Sequence, residues 1–342
     1  MTMKLDYEVA ALRTKYPFTI ARRRQEEDYA VWVCLRDEDD LTGWGEANPS
    51  RFYGETAETV CAALQVYQPV VESVGEPFAL IEVETACESD LRGNASARAA
   101  ISAALYDLAG KRLGVPVYRL LGLDPSRAPL TSFTIGIDEP EIVRRKVREA
   151  SEYPILKIKV GTDRDIELLS IVREEAPEAQ VRVDANTAWH PREAVARMAE
   201  LQQFDIEFVE QPVAAHDIDG LRFVRERSPL PIIADESCLI AADIPRLAGA
   251  VDGINIKLAK CGGLSEALRM IYTARAHNLS VMFGCMVATS LGIAAAAQLA
   301  PLVDFADLDG AALLADDPFD GLSIAGGRIR LSAEPGLGVT RR

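Results

Sequence analysis

The sequence predicts an α/β protein: a barrel of eight parallel strands, preceded by an α+β domain. Three observations carry this. Short β-branched or apolar runs alternate with helical stretches from about residue 130. Their ends recur every 22 to 27 residues, the period of a βα unit. The first hundred residues instead show strands first and helices afterwards. At 342 residues the chain is about twice a typical domain, which suits two units.

In the N-terminal part, Tyr29 to Arg36 is rich in β-branched and aromatic residues. A polar turn at Asp37 to Asp40 follows, and Leu41 to Ala47 resumes extended structure. Phe18 to Arg23 is a candidate further strand. Ala57 to Val74 and Ser96 to Leu113 read as helices. In the second, Ile101, Ala104, Leu105 and Leu108 recur at helical spacing, and Gly114-Val115-Pro116 ends it.

The barrel strands are expected at 131–136, 155–160, 181–184, 207–210, 231–235, 253–257, 280–284 and 303–307. An open doubly wound sheet is the rival, but no glycine-rich phosphate turn follows the first strand. The stretch after residue 318 has no room for another βα unit and is expected to return to the N-terminal domain. The expected division is 1–115 for that domain, 116–317 for the barrel and 318–342 for the returning tail.

Composition excludes several classes. The chain is 49% hydrophobic and 26% charged, an ordinary globular make-up. With 37 basic and 52 acidic residues the net charge is −15, which repels a phosphate backbone, so no nucleic-acid partner is expected. The tight basic cluster is Arg22-Arg23-Arg24, enough for one small anion. Six scattered cysteines show no zinc-ligand spacing and read as free thiols. Leu279 to Val303 carries no charge, yet its glycines, Pro301 and many alanines suit a strand, a loop and a buried helix better than a membrane span. No apolar signal stretch follows the N-terminus. The expectation is a cytoplasmic protein without a membrane partner.

Active sites of such barrels lie at the C-terminal strand ends. Strands three, four and five end in Asp184, Glu210 and Asp235. One such acid is as readily a helix cap; three in succession converge on one rim and repel. A hard divalent cation resolves the repulsion, and Mg2+, one per subunit, suits carboxylate oxygens. Strand two contains Lys157-Ile158-Lys159, and strand six Asn255-Ile256-Lys257. Period-two alternation turns both lysines of the first, and Asn255 with Lys257 of the second, to one face. Strands two and six stand opposite each other in a ring of eight. A central ligand would therefore have a lysine on each face, an arrangement for taking a proton from carbon and returning it on the other side. The carbon would lie α to a carboxylate, with the enediolate stabilised by the metal. Each lysine must be neutral to act as a base, and burial, the cation and the other lysine are expected to lower its pKa. Lys260, just past strand six, ranks below Lys257. Strand eight ends Asp307-Leu308-Asp309, a free pair of acids suited to an ammonium group and too far round the ring to join the metal set. Thr134 on strand one and Cys285 and Met286 after strand seven are further candidate substrate contacts. His190, His216 and His277 are the three histidines, and none ends strand seven; neither a Gly-x-Ser-x-Gly nor a HExxH motif occurs.

Together these residues resemble the enolase superfamily, in the branch of the muconate-lactonising enzymes. The surrounding words match too: LKIKVG at 156–161, VDAN at 183–186, VEQP at 209–212, ADES at 234–237, INIKLAKCGG at 254–263 and GWGEA at 43–47. The resemblance implies a modified TIM barrel, (β/α)7β, with an α+β capping domain formed by the N-terminal region and the C-terminal tail. It implies that Lys159 and Lys257 are the two bases, that Lys157 polarises the substrate carboxylate, and that loops near Thr19–Arg24 and Ser50–Glu55 close over the mouth. The Asp-x-Asp at 307 and 309 is similar to that of the dipeptide epimerases, where it binds the free amine. Arg23 falls nearest the loop arginine that meets an acidic second residue, so an L-Ala-L-Glu-type dipeptide is the first expectation. Phe52 and Tyr53 would favour an apolar second residue instead. Related reactions of the branch are succinylbenzoate synthesis, N-acylamino acid racemisation and muconate cycloisomerisation. A Schiff-base enzyme using Lys157 or Lys257, or a catalytically silent binding protein, are readings of other classes. A homo-oligomer is expected.

Overall fold

The computed structural model describes residues 3–342, without the side chains of Gln25 and Glu26. Met1 and Thr2, where a signal sequence would start, lie outside the described residues.

A three-stranded antiparallel sheet opens the chain: β1 (Lys4–Ile20), β2 (Arg23–Arg36) and β3 (Thr42–Ala47). Three helices follow, α1 (Ala57–Val74), α2 (Leu80–Asp90) and α3 (Ala95–Leu113). Phe18–Arg23 is not a separate strand. It is the tip of a long β1–β2 hairpin whose first arm begins at Lys4. Exposed polar residues alternate irregularly along β1 and hide its period, and α2 buries little more than Val83 and Cys87. Helix α3 lies on β3 at near backbone contact. A Cβ on Gly45 would stand 2.0 Å from Ala100 O, and one on Gly43 2.2 Å from Ala104 O. The GWGEA segment thus needs glycines for packing, with α3 answering in alanines.

The barrel strands are β4 (Phe133–Ile135), β5 (Ile155–Lys159), β6 (Gln180–Asp184), β7 (Ile206–Glu210), β8 (Ile232–Ala234), β9 (Gly253–Ile256), β10 (Ser280–Gly284) and β11 (Phe305–Asp307). They form one parallel sheet in sequence order. A parallel bridge from Thr131 to Ala306, with Ser132 N donating to Ala306 O at 3.1 Å, joins its two edges. Helices follow seven of the strands, many with the start chemistry expected of them. Pro140 and Pro191 stand at first helical positions, Asp217 caps Ile218–Arg225, and Thr289 caps Ser290–Ala297. After β11 comes only a short 3-10 turn, Gly310–Leu313, which makes the barrel (β/α)7β.

Alternation along the strands separates two environments. Leu156, Ile158, Val181, Val183, Ile254 and Ile256 point outward and join the large core under the helices. Phe208, Ile233 and Met282, with Phe305, form a separate apolar plug inside the barrel. The charged residues sit one layer above that plug. The uncharged stretch 279–303 is β10, a loop, the buried helix Ser290–Ala297 and a 3-10 turn, and no helix among the described residues is long and apolar enough to cross a membrane.

Cap and barrel are pinned together by buried groups. Glu46 at the end of β3 accepts from Trp32 Nε1 at 2.9 Å and from Thr289 N at 2.9 Å, and also takes the Thr289 hydroxyl. The tail returns to the N-terminal region: Phe319 lies edge-on to Trp32 at 5.1 Å, and Leu337 N donates to Asp107 on α3 at 2.7 Å.

Replacing Gly45 with Ala should lower stability by about 1–3 kcal/mol or more, since the added methyl meets backbone and cannot be accommodated by a rotamer change. Urea denaturation followed by circular dichroism reads this as a fall in the midpoint; an unchanged midpoint would show that α3 can move away.

Candidate active site

Asp184, Glu210 and Asp235 end β6 and β7 and follow β8, and a carboxylate oxygen from each lies within 4.8 Å of the others. All three are buried. Lys159 Nζ reaches Asp184 Oδ2 at 2.6 Å, and Lys257 Nζ reaches Asp235 Oδ2 at 2.7 Å. These lysines come from β5 and the end of β9, four steps apart in the ring, and both line one cavity of about 310 Å³. Lys157 stands deeper and bridges Glu210 Oε2 at 2.6 Å, Asp307 Oδ2 at 2.7 Å and Asp184 Oδ2 at 3.3 Å.

Asp307 and Asp309 also line the cavity, and both are buried. Asp307 is not a free acid. It takes Lys157 on one oxygen and Ser132 Oγ, at 2.6 Å, on the other. Because β11 closes against the segment before β4, strand eight is adjacent to the lysine of strand two, and Lys157 links Asp307 to the acids of β6 and β7. Asp309 accepts from Thr134 N at 2.6 Å. Thr134, Cys285, Met286 and Arg23 are on the cavity wall, whereas Asp184 and Glu210 lie beneath it. Lys260 is not on the wall: buried, it donates to Asp235 Oδ1 and to the carbonyls of Asp235, Asn255 and Cys238.

The capping loops close over this space. Arg22 Nη1 donates to Asn186 O and to Glu236 Oε1, both at 2.8 Å, and its guanidinium stacks 4.1 Å from the Phe52 ring. Arg23 meets Asp28 at 3.4 Å, and Arg24 is exposed.

Comparison with known proteins gives this arrangement a family. Residues 5–122 match the mandelate racemase/muconate lactonizing enzyme N-terminal domain, and residues 141–342 match the enolase C-terminal domain-like family. The chain belongs to the mandelate racemase/muconate lactonizing enzyme family. The L-Ala-D/L-Glu epimerase of Bacteroides thetaiotaomicron is 39% identical over 99% of this chain and 88% of its own length. The dipeptide epimerase of Enterococcus faecalis, in a crystal structure with Mg and L-Leu-L-Tyr, superposes with a TM-score of 0.93 at 34% identity over all of both chains. That of Methylococcus capsulatus, with Mg and L-Arg-D-Lys, gives 0.91 at 35% identity over 99% of this chain and all of the other.

The electrostatics of this family member's site are those of crowded, compensated charge. Burial pulls the Lys157 ammonium down, but Asp307, Glu210 and Asp184 outweigh it and hold its pKa well above the usual lysine value. Burial likewise opposes the charge on Lys257, and Asp235 and Glu210 still raise its pKa. With no cation facing the acids, Lys257 is thus shifted in the direction opposite to the lowering expected of a base beside one. Burial works against ionised Asp235, yet Lys257 and Lys260 hold it well below the usual range. Burial and the neighbouring Asp184 push Glu210 up to about 8. The three acids are thus crowded enough that Glu210 favours its protonated form, although lysines pair with all three. Asn186 Oδ1, Asn255 Oδ1 and Glu236 Oε2 are buried oxygens with no hydrogen-bond donor among the described residues. An all-oxygen donor set of this kind fits a hard divalent cation.

Two features escaped sequence reasoning. Glu236 directly follows Asp235, and alternation would turn it away, but β8 has already ended at Ala234. Gln211 takes a left-handed backbone, φ 36°, just past Glu210. Its side-chain amide oxygen, Oε1, accepts from Asp235 N at 2.9 Å and Ser237 N at 3.1 Å, fixing the loop that carries the third acid. The VEQP word contains this glutamine, but spacing alone gives it no role.

Burial, then Asp307, raises Asp309 to about 7. Its folded pKa exceeds the unfolded value, so its contribution to stability is lost as pH rises from about 4 to 7. Asp309→Asn keeps an acceptor for Thr134 N and removes the charge. In metal-free protein it should match the parent near pH 4 and exceed it by a few kcal/mol at pH 8, on the order of the shift. Denaturant melts across that range check this; a difference independent of pH would contradict it.

Proposed function

We propose that this chain is a Mg2+-dependent dipeptide epimerase, moving the α-proton of the C-terminal residue from one face to the other through an enediolate. One observation carries the reading: Lys159 and Lys257 face a single cavity from opposite strands, with the acid triad between them and Asp307 and Asp309 at one end. The names and bound ligands of the relatives support it.

Asp184, Glu210 and Asp235 would hold the ion. Bound there, Mg2+ supplies positive charge beside the substrate carboxylate as the α-carbon loses its proton. Lys257, whose pKa the facing acids now raise, would exchange a proton more readily once their charge is offset. Lys159 takes or gives the proton on one face, and Lys257 on the other. Lys157 donates toward the substrate carboxylate from below. Lys260, through Asp235, is a positioning residue. Asp307 and Asp309 receive the substrate ammonium, whose charge would ionise Asp309. Two buried acids there disfavour the amine-free or N-acylated substrates of other enzymes in this branch. The carboxylates that keep Lys157 and Lys257 protonated also disfavour a Schiff-base nucleophile.

The second residue's side chain would point to the capping loops, where Arg23 and Arg51 line the wall. Arg23 meets Asp28 only at a long 3.4 Å. These guanidiniums favour an acidic second residue, as in L-Ala-L-Glu. Arg22, occupied by Glu236 and Asn186, serves instead to hold the loops shut and exclude water.

Incubation with Mg2+ and a mixed L,L-dipeptide library in D2O should place one deuterium at the C-terminal α-carbon of accepted peptides, with acidic second residues ahead. A chelator should abolish the exchange and added Mg2+ restore it. Lys257→Ala should reduce epimerisation about 10³-fold or more, while exchange into one epimer survives through Lys159. Full epimerisation by that variant would falsify the two-base assignment.

A further inference from the structure

Beside the main cavity lies a second one of about 170 Å³, several times the ~30 Å³ share of one water. Phe18, Thr134 and Leu313 line both spaces and form the wall between them. The outer wall is made by an irregularity in β1. Between the pairs Arg13↔Glu27 and Phe18↔Gln25, four residues of β1 stand opposite one of β2. Thr14, Lys15, Tyr16 and Pro17 therefore leave the ladder and arch over the cavity. The arch is fastened to the barrel. Lys15 Nζ donates to Ala312 O at 3.0 Å, Tyr16 donates to Glu149 Oε1 at 2.7 Å, and Thr14 bridges to Leu314.

The inner wall is aromatic. The rings of Phe133 and Tyr153 lie 4.7 Å apart, and Phe18 and Leu313 complete it. Charged groups at the far end are already engaged. Glu149 takes the Tyr16 hydroxyl, Glu152 accepts from Gly326 N at 3.2 Å, and Lys146 pairs with Asp138 at 3.0 Å. The space offered to a ligand is therefore lined mostly by carbon.

Its position follows from covalent geometry. On the dipeptide reading above, on which this inference rests, the amine lies at Asp307 and Asp309. The first residue's Cβ is two bonds from that nitrogen, about 2.5 Å. Asp309 is bonded to the backbone of Thr134, which stands on the seam between the cavities. We propose that the second cavity receives the side chain of the dipeptide's first residue and selects a large apolar or aromatic side chain over alanine.

The test holds the second residue constant as glutamate, and in a parallel set as alanine, and varies the first among Ala, Leu and Phe. With the Mg2+-loaded full chain, kcat/KM for Leu-first or Phe-first peptides should exceed that for Ala-first by roughly tenfold or more. Ala312 lines only the second cavity, and Ala312→Phe should fill it and bring the ratio close to one. The wild-type ratios decide the matter by themselves should that variant fail to fold. Turnover of Ala-first peptides with no gain for larger first residues overturns this inference and leaves the epimerase reading standing. Absence of exchange with every dipeptide overturns the reading and the inference together.

Discussion

Buried negative charge at the barrel mouth must be compensated, and the rest of the structure is arranged around that requirement. Asp184, Glu210 and Asp235 would not stay together in an apolar interior without cations. Lys157, Lys159, Lys257 and Lys260 each meet at least one of them. Removing a single partner would leave a stranded charge. The apolar plug of Phe208, Ile233 and Met282 below keeps this layer dry from beneath, and the cap covers it from above. The same compensation underlies the proposed chemistry: on that reading, part of the balance supplied by lysines would pass to a metal ion and a substrate ammonium.

The cap follows from the barrel's inability to seal its own mouth. Its sheet and helices form a separate hydrophobic cluster, so its root does not depend on the site. Glycines in β3 and alanines in α3 bring that root to close packing, and Glu46 fixes it to the start of the helix at Ser290–Ala297. The second cavity arises where the hairpin departs from regular pairing, at the junction of cap and barrel.

Much of this was legible in the sequence because it obeys short-range periodicities. Strand parity places Lys157 with Lys159, and Asn255 with Lys257, on inner faces without reference to anything distant. The repeat length places the acids on neighbouring strands. Helices with strong end signals, such as Ala57–Val74, were read to their bounds. What was not legible depends on closure or on residues past strand ends. That Asp307 is bonded to Lys157 and Ser132 follows only once the first and last strands meet. Arg22 could not be told from Arg23 and Arg24, since the turn between β1 and β2 decides which guanidinium faces the rim. The length of β1 was hidden because its exposed edge lacks a clean alternation. The direct carboxylate contacts that raise the Lys157 and Lys257 pKa values in the metal-free site join residues of different strands, which spacing alone does not show.

The Arg22 contacts have a mechanical consequence. The hairpin is anchored at its base, while the described polar ties of Arg22 at its tip run to Glu236 and to one carbonyl of Asn186. Between root and tip, Lys15, Tyr16 and Thr19 also tie the first arm to the barrel. Glu236 sits next to the acid that Lys257 and Lys260 share. A change of charge at that acid would therefore reach Glu236, and through it the guanidinium that holds the tip.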